Sequence, residues 1–102
     1  AKSAFVHKPA AVISSSRRAG SVTSMDVLNK HLSISEMPIV TSNYWNEVHG
    51  HTPSDVEQDR EGLDTMYALG KNMAWMLKCI EAGKKAGIEV PQNTKRTTNF
   101  IR

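Results

Sequence analysis

The sequence predicts an α/β domain built on a parallel sheet, in the order strand, helix, strand, long helix. Three observations predict it. Ala10-Ala11-Val12-Ile13 runs apolar without polar alternation, as a strand covered on both faces does. Beyond Ser21, the residues Val22, Met25, Leu28 and Leu32 recur at helical spacing. Residues 37–42, Met37-Pro38-Ile39-Val40-Thr41-Ser42, then return to strand character. Strand, helix and strand over this distance make a βαβ unit, whose crossover is expected to be right-handed.

Composition limits the alternatives. With 102 residues, 39% apolar and 23% charged, the chain is expected to form one soluble domain at most. No apolar stretch approaches the ~20 residues that cross a bilayer. Residues 1–9 show no charged segment leading into an apolar one, so no signal peptide is expected. The single cysteine, Cys79, rules out an internal disulfide and suits a reducing cytoplasm. A formal charge of +3 is spread along the chain, with small cationic clusters at Arg17-Arg18, Lys84-Lys85 and Lys95-Arg96. That can attract a phosphorylated ligand but is too sparse to point to nucleic acid.

The first strand leads into Ser14-Ser15-Ser16-Arg17-Arg18-Ala19-Gly20-Ser21, a small, polar loop with two cations. Ser21 or Thr23 is placed to cap the helix that follows. Residues 33–36 connect it to the second strand, with Pro38 at the start, where a missing donor is tolerated. A loop over residues 43–52 carries Tyr44, Trp45, His49 and His51. A helix then opens with either Thr52 and Asp55 or Ser54 and Glu57 in capping-box spacing. Acidic residues crowd its first turns, Lys84 and Lys85 its last, and Gly87 is a natural stop. Unbroken over residues 54–86, it would be roughly 50 Å long. It must bend near Gly70 or pack its far half against something outside this chain. Residues 88–102 form a mostly polar tail ending in Asn99-Phe100-Ile101-Arg102, whose two apolar residues suit docking. Two parallel strands cannot cover such a helix, so the chain reads as a partial domain. A missing half or a partner chain would supply the other strands.

The loop after the first strand precedes a helix N-terminus, so its N–H groups can face an anion or a carbonyl edge. Read from the residues alone, it is equally a solvated basic turn. Tyr44 and Trp45, just past the second strand, suit stacking on a planar ligand; the plainer expectation for Trp45 is core or subunit packing. His49 and His51 have no Cys or carboxylate at confirming metal-ligand spacing, so they read as loop histidines. Cys79 lies between Leu77 and Ile80 and is expected to be buried and inert. Ser14, Ser15 and Ser16 lack a nucleophile elbow. Met66, Met73 and Met76 read as adaptable packing surface.

The strings Lys8-Pro9-Ala10-Ala11, Ser16-Arg17-Arg18-Ala19-Gly20, Leu28-Asn29-Lys30 and Met37-Pro38 occur in that order. Asn43-Tyr44-Trp45-Asn46, Val48-His49-Gly50, residues 59–62, Leu69-Gly70 and Asn99-Phe100-Ile101-Arg102 follow. The ordered set resembles the C-terminal half of the flavodoxin-like NAD(P)H-dependent FMN reductase family, from about Lys8 onward. The resemblance implies a doubly wound, five-stranded parallel sheet with FMN at the carboxyl ends of the strands. This chain would hold the fourth strand, fourth helix, fifth strand and final helix. The N-terminal strands, the loop that holds the FMN phosphate and the loop along the isoalloxazine are missing from it. The resemblance further implies a homo-oligomer using FMN as cofactor and NAD(P)H as co-substrate; composition adds the expectation of a cytoplasmic protein with no nucleic-acid or membrane partner. Ser15, Ser16, Arg17, Arg18 and Tyr44 would be cofactor-binding residues, with no catalytic side chain. The alternative is a non-catalytic interaction module built on the Met/Leu/Trp face of the long helix.

Overall fold

The computed structural model describes residues 4–99, so the expected docking of Phe100 and Ile101 lies outside the described residues. Two short strands, β1 (Ser14–Ser16) and β2 (Glu47–His49), pair in parallel, Ser14 opposite Glu47 and Ser16 opposite His49. Between them runs helix α1 (Ser21–Ile34); after them come α2 (Pro53–Gln58) and α3 (Arg60–Lys85). Parallel strands cannot be joined by a hairpin, and α1 supplies the crossover, packing on β1 while α3 packs on β2. The chain is thus a mixed α/β structure with two parallel strands and a long helix. Among the described residues no helix is long and apolar enough to cross a membrane.

The strands lie later than the apolar runs suggest. Parallel pairing begins with an isolated bridge between Ala10 and Ile39, made by Ala10 N–H to Pro38 O at 2.9 Å and Val40 N–H to Ala10 O at 2.8 Å. The four steps from Ala10 to Ser14 then run beside the eight from Ile39 to Glu47. The surplus leaves the sheet as an excursion through residues 41–45. A local side-chain network explains it, because Ser, Asn and Asp offer the backbone alternatives to a ladder. The Ser42 hydroxyl lies 2.7 Å from Tyr44 O and 2.5 Å from Asn46 Oδ1, and the Asn46 amide donates to Val12 O at 3.1 Å. The second strand is therefore split, and its regular part falls inside the stretch expected to be loop.

The two sheet edges differ. On the outer edge of β2, Glu47 N–H bonds Trp45 O at 2.7 Å and His49 N–H bonds Asp59 Oδ2 at 2.8 Å. On β1, Ser14 and Ser16 turn their ladder groups toward β2. Ile13 and Ser15 therefore aim theirs outward, with no strand beside them among the described residues. One edge is closed by the chain's own groups and the other is open.

The helix ends follow from local sequence. Neither Ser21 nor Thr23 caps α1; Gly20 takes the N-cap position at φ 94°, which glycine accepts without steric cost, and offers no side chain. Glu36, at φ 60°, ends α1 with Glu36 N–H to Ser33 O and Met37 N–H to Leu32 O, both near 3.1 Å. The same paired bonds end α3 at Gly87, from Gly87 N–H to Lys84 O and Ile88 N–H to Gly83 O. Thr52 and Asp55 form the capping box of α2. The long helix breaks at Asp59 and not near Gly70, since Asp59 caps a new helix through Gly62 N–H at 2.9 Å.

Gly50 permits the tight entry into α2. A Cβ there would meet Val56 Cγ2 and Val56 N at 2.7 Å. Gly50→Ala should therefore cost about 1–3 kcal/mol, as overpacking against backbone does; an unchanged urea midpoint would contradict this.

The apolar core is small: Met25, Val40 and Leu69 are its buried members. Trp45, expected in a core or subunit contact, is 57% exposed, Tyr67 73% and Trp75 66%. Cys79 is also exposed, correcting the expectation of burial. Its apolar neighbours lie on the far half of α3, which runs beyond the two strands. The chain exposes 8292 Å², whereas a compact protein of its mass exposes about 5,700 Å². Its radius of gyration is 17.3 Å, against about 13 Å for a compact chain of this length.

Candidate functional site

Two neighbouring strand ends each turn into a helix: β1 through residues 17–20 into α1, and β2 through residues 50–52 into α2. At the first, the Ser21 hydroxyl donates to Ser16 Oγ at 2.6 Å, fixing Ser16 against the start of α1. Ser15, Arg17 and Arg18 are exposed. Neither arginine has a carboxylate partner among the described residues. Ser24 N–H is the first in α1 to bond back, to Gly20 O at 3.0 Å. The amides of Ser21, Val22 and Thr23 are thus beyond the helical ladder, with no side-chain cap and no acidic residue in the first turn. This end of the sheet is rich in donors and positive in charge.

The other strand end is built around Asp59. Its Oδ1 accepts from Gly62 N–H and its Oδ2 from His49 N–H, with His49 Nδ1 3.9 Å away. The two backbone donors, and more weakly the imidazole, hold its carboxyl below the usual carboxylate range. A cleft of about 190 Å³ opens here, lined by Tyr44, Glu47, His49, Asp59, Glu61 and Thr65, and its acids suit a cation or a hydroxylated group. His51 is exposed, and its N–H bonds Asp55 Oδ2 at 3.2 Å. Among the described residues no group of three or more His, Cys, Asp or Glu is placed to hold a metal ion.

Tyr44 and Trp45 stand on the excursion with ring centres 6.0 Å apart and planes tilted by 39°. They wall an apolar cleft of about 410 Å³ together with Met25, Asn29, Ile39 and Val40. A cleft of this size and lining takes a planar organic group or an apolar side chain. Tyr44 therefore lies between an apolar and an acidic cleft. Ser15 and Ser16 stand in β1 itself, not in the loop expected after it, and Arg17 and Arg18 follow its end; none of the four lines either cleft. The structure does not bring Tyr44 into one cavity with them.

Four residues organise this end in roles that sequence alone did not reveal. Asp59 and Gly62 stand at N-cap and N3 spacing, a signal obscured by the apparent continuity of helix from Ser54 onward. Asn46 and Ser42 look like ordinary loop residues, and only pairing across the sheet reveals their role. Compared with models of known protein families, with curated proteins and with solved structures, the chain matches none.

Proposed function

We propose that this chain forms one wall of a flavin site in an NAD(P)H-dependent FMN reductase-like oxidoreductase of the cytoplasm. The polypeptide covering its open faces would supply the other wall, in an assembly that is a homo-oligomer. The observation that carries the reading is the end of β1: uncapped α1 amides, the Ser16–Ser21 pair and two unpaired arginines meet at the carboxyl end of a parallel strand. Ligands of open α/β sheets bind at that end. The residues fit the electron-rich edge of a flavin. The loop that holds the phosphate would come from the covering segment, which the open edge of β1 is ready to accept.

Bound there, FMN would supply the hydride acceptor, with NAD(P)H as donor. The chain's own contribution is binding. Ser15 and Ser16 offer hydroxyls to ring polar atoms, and Arg17 and Arg18 offset negative charge on the reduced ring or on a nicotinamide phosphate. Tyr44 shields the ring from water on the side of the excursion. No side chain is assigned a proton transfer. Arg17→Ala in the assembled protein should weaken FMN binding or raise the KM for NADPH several-fold. Flavin affinity and NADPH kinetics both equal to wild type would remove Arg17 from the site. Tryptophan emission should fall on adding FMN, and constant emission would remove Tyr44 and its neighbour Trp45.

A second reading, a non-catalytic interaction module, is favoured by a separate observation. The far half of α3 leaves Trp75 and Leu77 largely in water. A folded, colourless and tightly self-associated protein that ignores added FMN would select it.

A further inference from the structure

Two non-glycine residues among those described have a positive φ, His7 at 66° and Glu36 at 60°, and they meet. His7 N–H bonds Glu36 O at 2.9 Å. Both then reach the same stretch of tail. His7 Nε2 lies 2.8 Å from Pro91 O, and Asn93 Nδ2 donates to Glu36 Oε2 at 2.8 Å. The two side chains also face each other, His7 Nε2 to Glu36 Oε2 at 3.5 Å.

Left-handed backbone is unfavourable for residues with a Cβ, and such strain persists where surrounding contacts hold it in place. At Glu36 the α1 stop holds it, and the side chains that the two left-handed residues present are the ones that grip the tail. After the α3 stop at Gly87, Ile88 is fixed by its bond to Gly83 O. Among the described residues, 89–93 are then held to the body by hydrogen bonds at His7 and Glu36, and all five are exposed. On the way the tail forms one wall of an apolar groove whose other wall is Trp75, Met76, Cys79 and Ile80 of α3.

We propose that residues 89–93 are a releasable strap, fastened by a clasp of His7 and Glu36, which closes one side of the α3 groove. Exposed side chains and exposed hydrogen bonds place this segment among the first to open. Ile88 is the hinge, because its helix-stop bond does not depend on the clasp. Opening breaks two hydrogen bonds and leaves the sheet and helices intact. The strap is independent of the flavin reading.

The test keeps the helix stop and removes the clasp. Glu36→Gly accepts the left-handed turn at the end of α1 and deletes both side-chain contacts. His7→Gly does the same at the other half. In the doubly substituted full chain, backbone heteronuclear NOEs of Val90, Gln92 and Asn93 should fall well below their wild-type values. Those of Thr65 and Leu69 should stay at wild-type values. Glu36→Gln, which keeps an acceptor for Asn93, should retain most of the order. Wild-type NOEs at Val90 and Asn93 in the double variant would overturn the strap. So would loss of order at Thr65 and Leu69 together with the tail, because the clasp would then belong to the fold as a whole.

Discussion

Asp59→Ala should lower the stability of the folded protein by about 2–3 kcal/mol, the sum of a lost helix cap and a lost charge-assisted bond. One carboxylate does three things here. Oδ1 starts α3 at Gly62 N–H, Oδ2 satisfies His49 N–H on the outer edge of β2, and the residue itself sets the break between α2 and α3. Alanine would leave two amide donors without partners, one of them facing outward from a strand. Asp59→Asn should cost less, because an amide oxygen can still accept one of the two bonds. Gly62 belongs to the same joint, since a Cβ there would run into the Asp59 carboxylate and approach Val48 Cγ1 to 2.8 Å. The pH dependence follows from the lowered carboxyl. A depressed folded value means that the stabilising contribution is present in full above the unfolded value of about 3.9. It is lost as pH falls through the folded value. Urea midpoints between pH 6 and pH 2 check this: the gap between wild type and Asp59→Ala should narrow in acid. A gap that stays constant over the whole range would show that the carboxylate charge contributes nothing.

The joint also shows what sequence reading could and could not reach. The order of elements was legible because period and capping are local. Val22 to Leu32 repeat as a helix, Thr52-Pro53-Ser54-Asp55 form a capping box, and Gly87 stops a helix ending in lysines. The strand positions were not legible. Ala10 to Ile13 have the composition of a buried strand, yet Ile13 is 60% exposed, because burial depends on a neighbour that composition cannot supply. β2 was hidden for a different reason: the Ser42–Asn46 network withdraws residues 41–45 from a strand they would otherwise continue. Of the candidate site, only Arg17 to Gly20 was legible as the loop between strand and helix, because Ser15 and Ser16 belong to β1 itself. The acidic cleft was not, because Glu47, His49 and Asp59 converge only through the break in the long helix. Several strings that carry the family resemblance also have structural roles. Gly50 makes room for Val56, Asp59 and Gly62 build the α3 start, and Asn46 repairs the ladder. Those strings speak for the architecture more directly than for flavin chemistry.

The same architecture predicts that folded chains should not exist as isolated monomers of 11.3 kDa. The surface of 8292 Å² exceeds that of a compact chain by about 2,600 Å². With rather more than half of a protein surface apolar, that excess forgoes on the order of 30 kcal/mol of burial. A domain of this size has a net stability of only about 5–15 kcal/mol. A standard interface removes about 800 Å² from each partner, so the shortfall calls for obligate cover. Sedimentation velocity should find the folded material well above the monomer mass, with a melting midpoint that rises with concentration. A folded 11.3 kDa species whose midpoint ignores concentration would refute the expectation. Two substitutions then locate the cover. Ile13→Asp places a charge at the open edge of β1, and Trp75→Glu places one on the wet half of α3. If a strand joins the sheet, Ile13→Asp should abolish assembly and Trp75→Glu should leave it largely intact. If helices pair, the effects should be reversed. The first result would favour the flavin-site reading, because a strand beside β1 brings the next loop against Ser15, Ser16, Arg17 and Arg18.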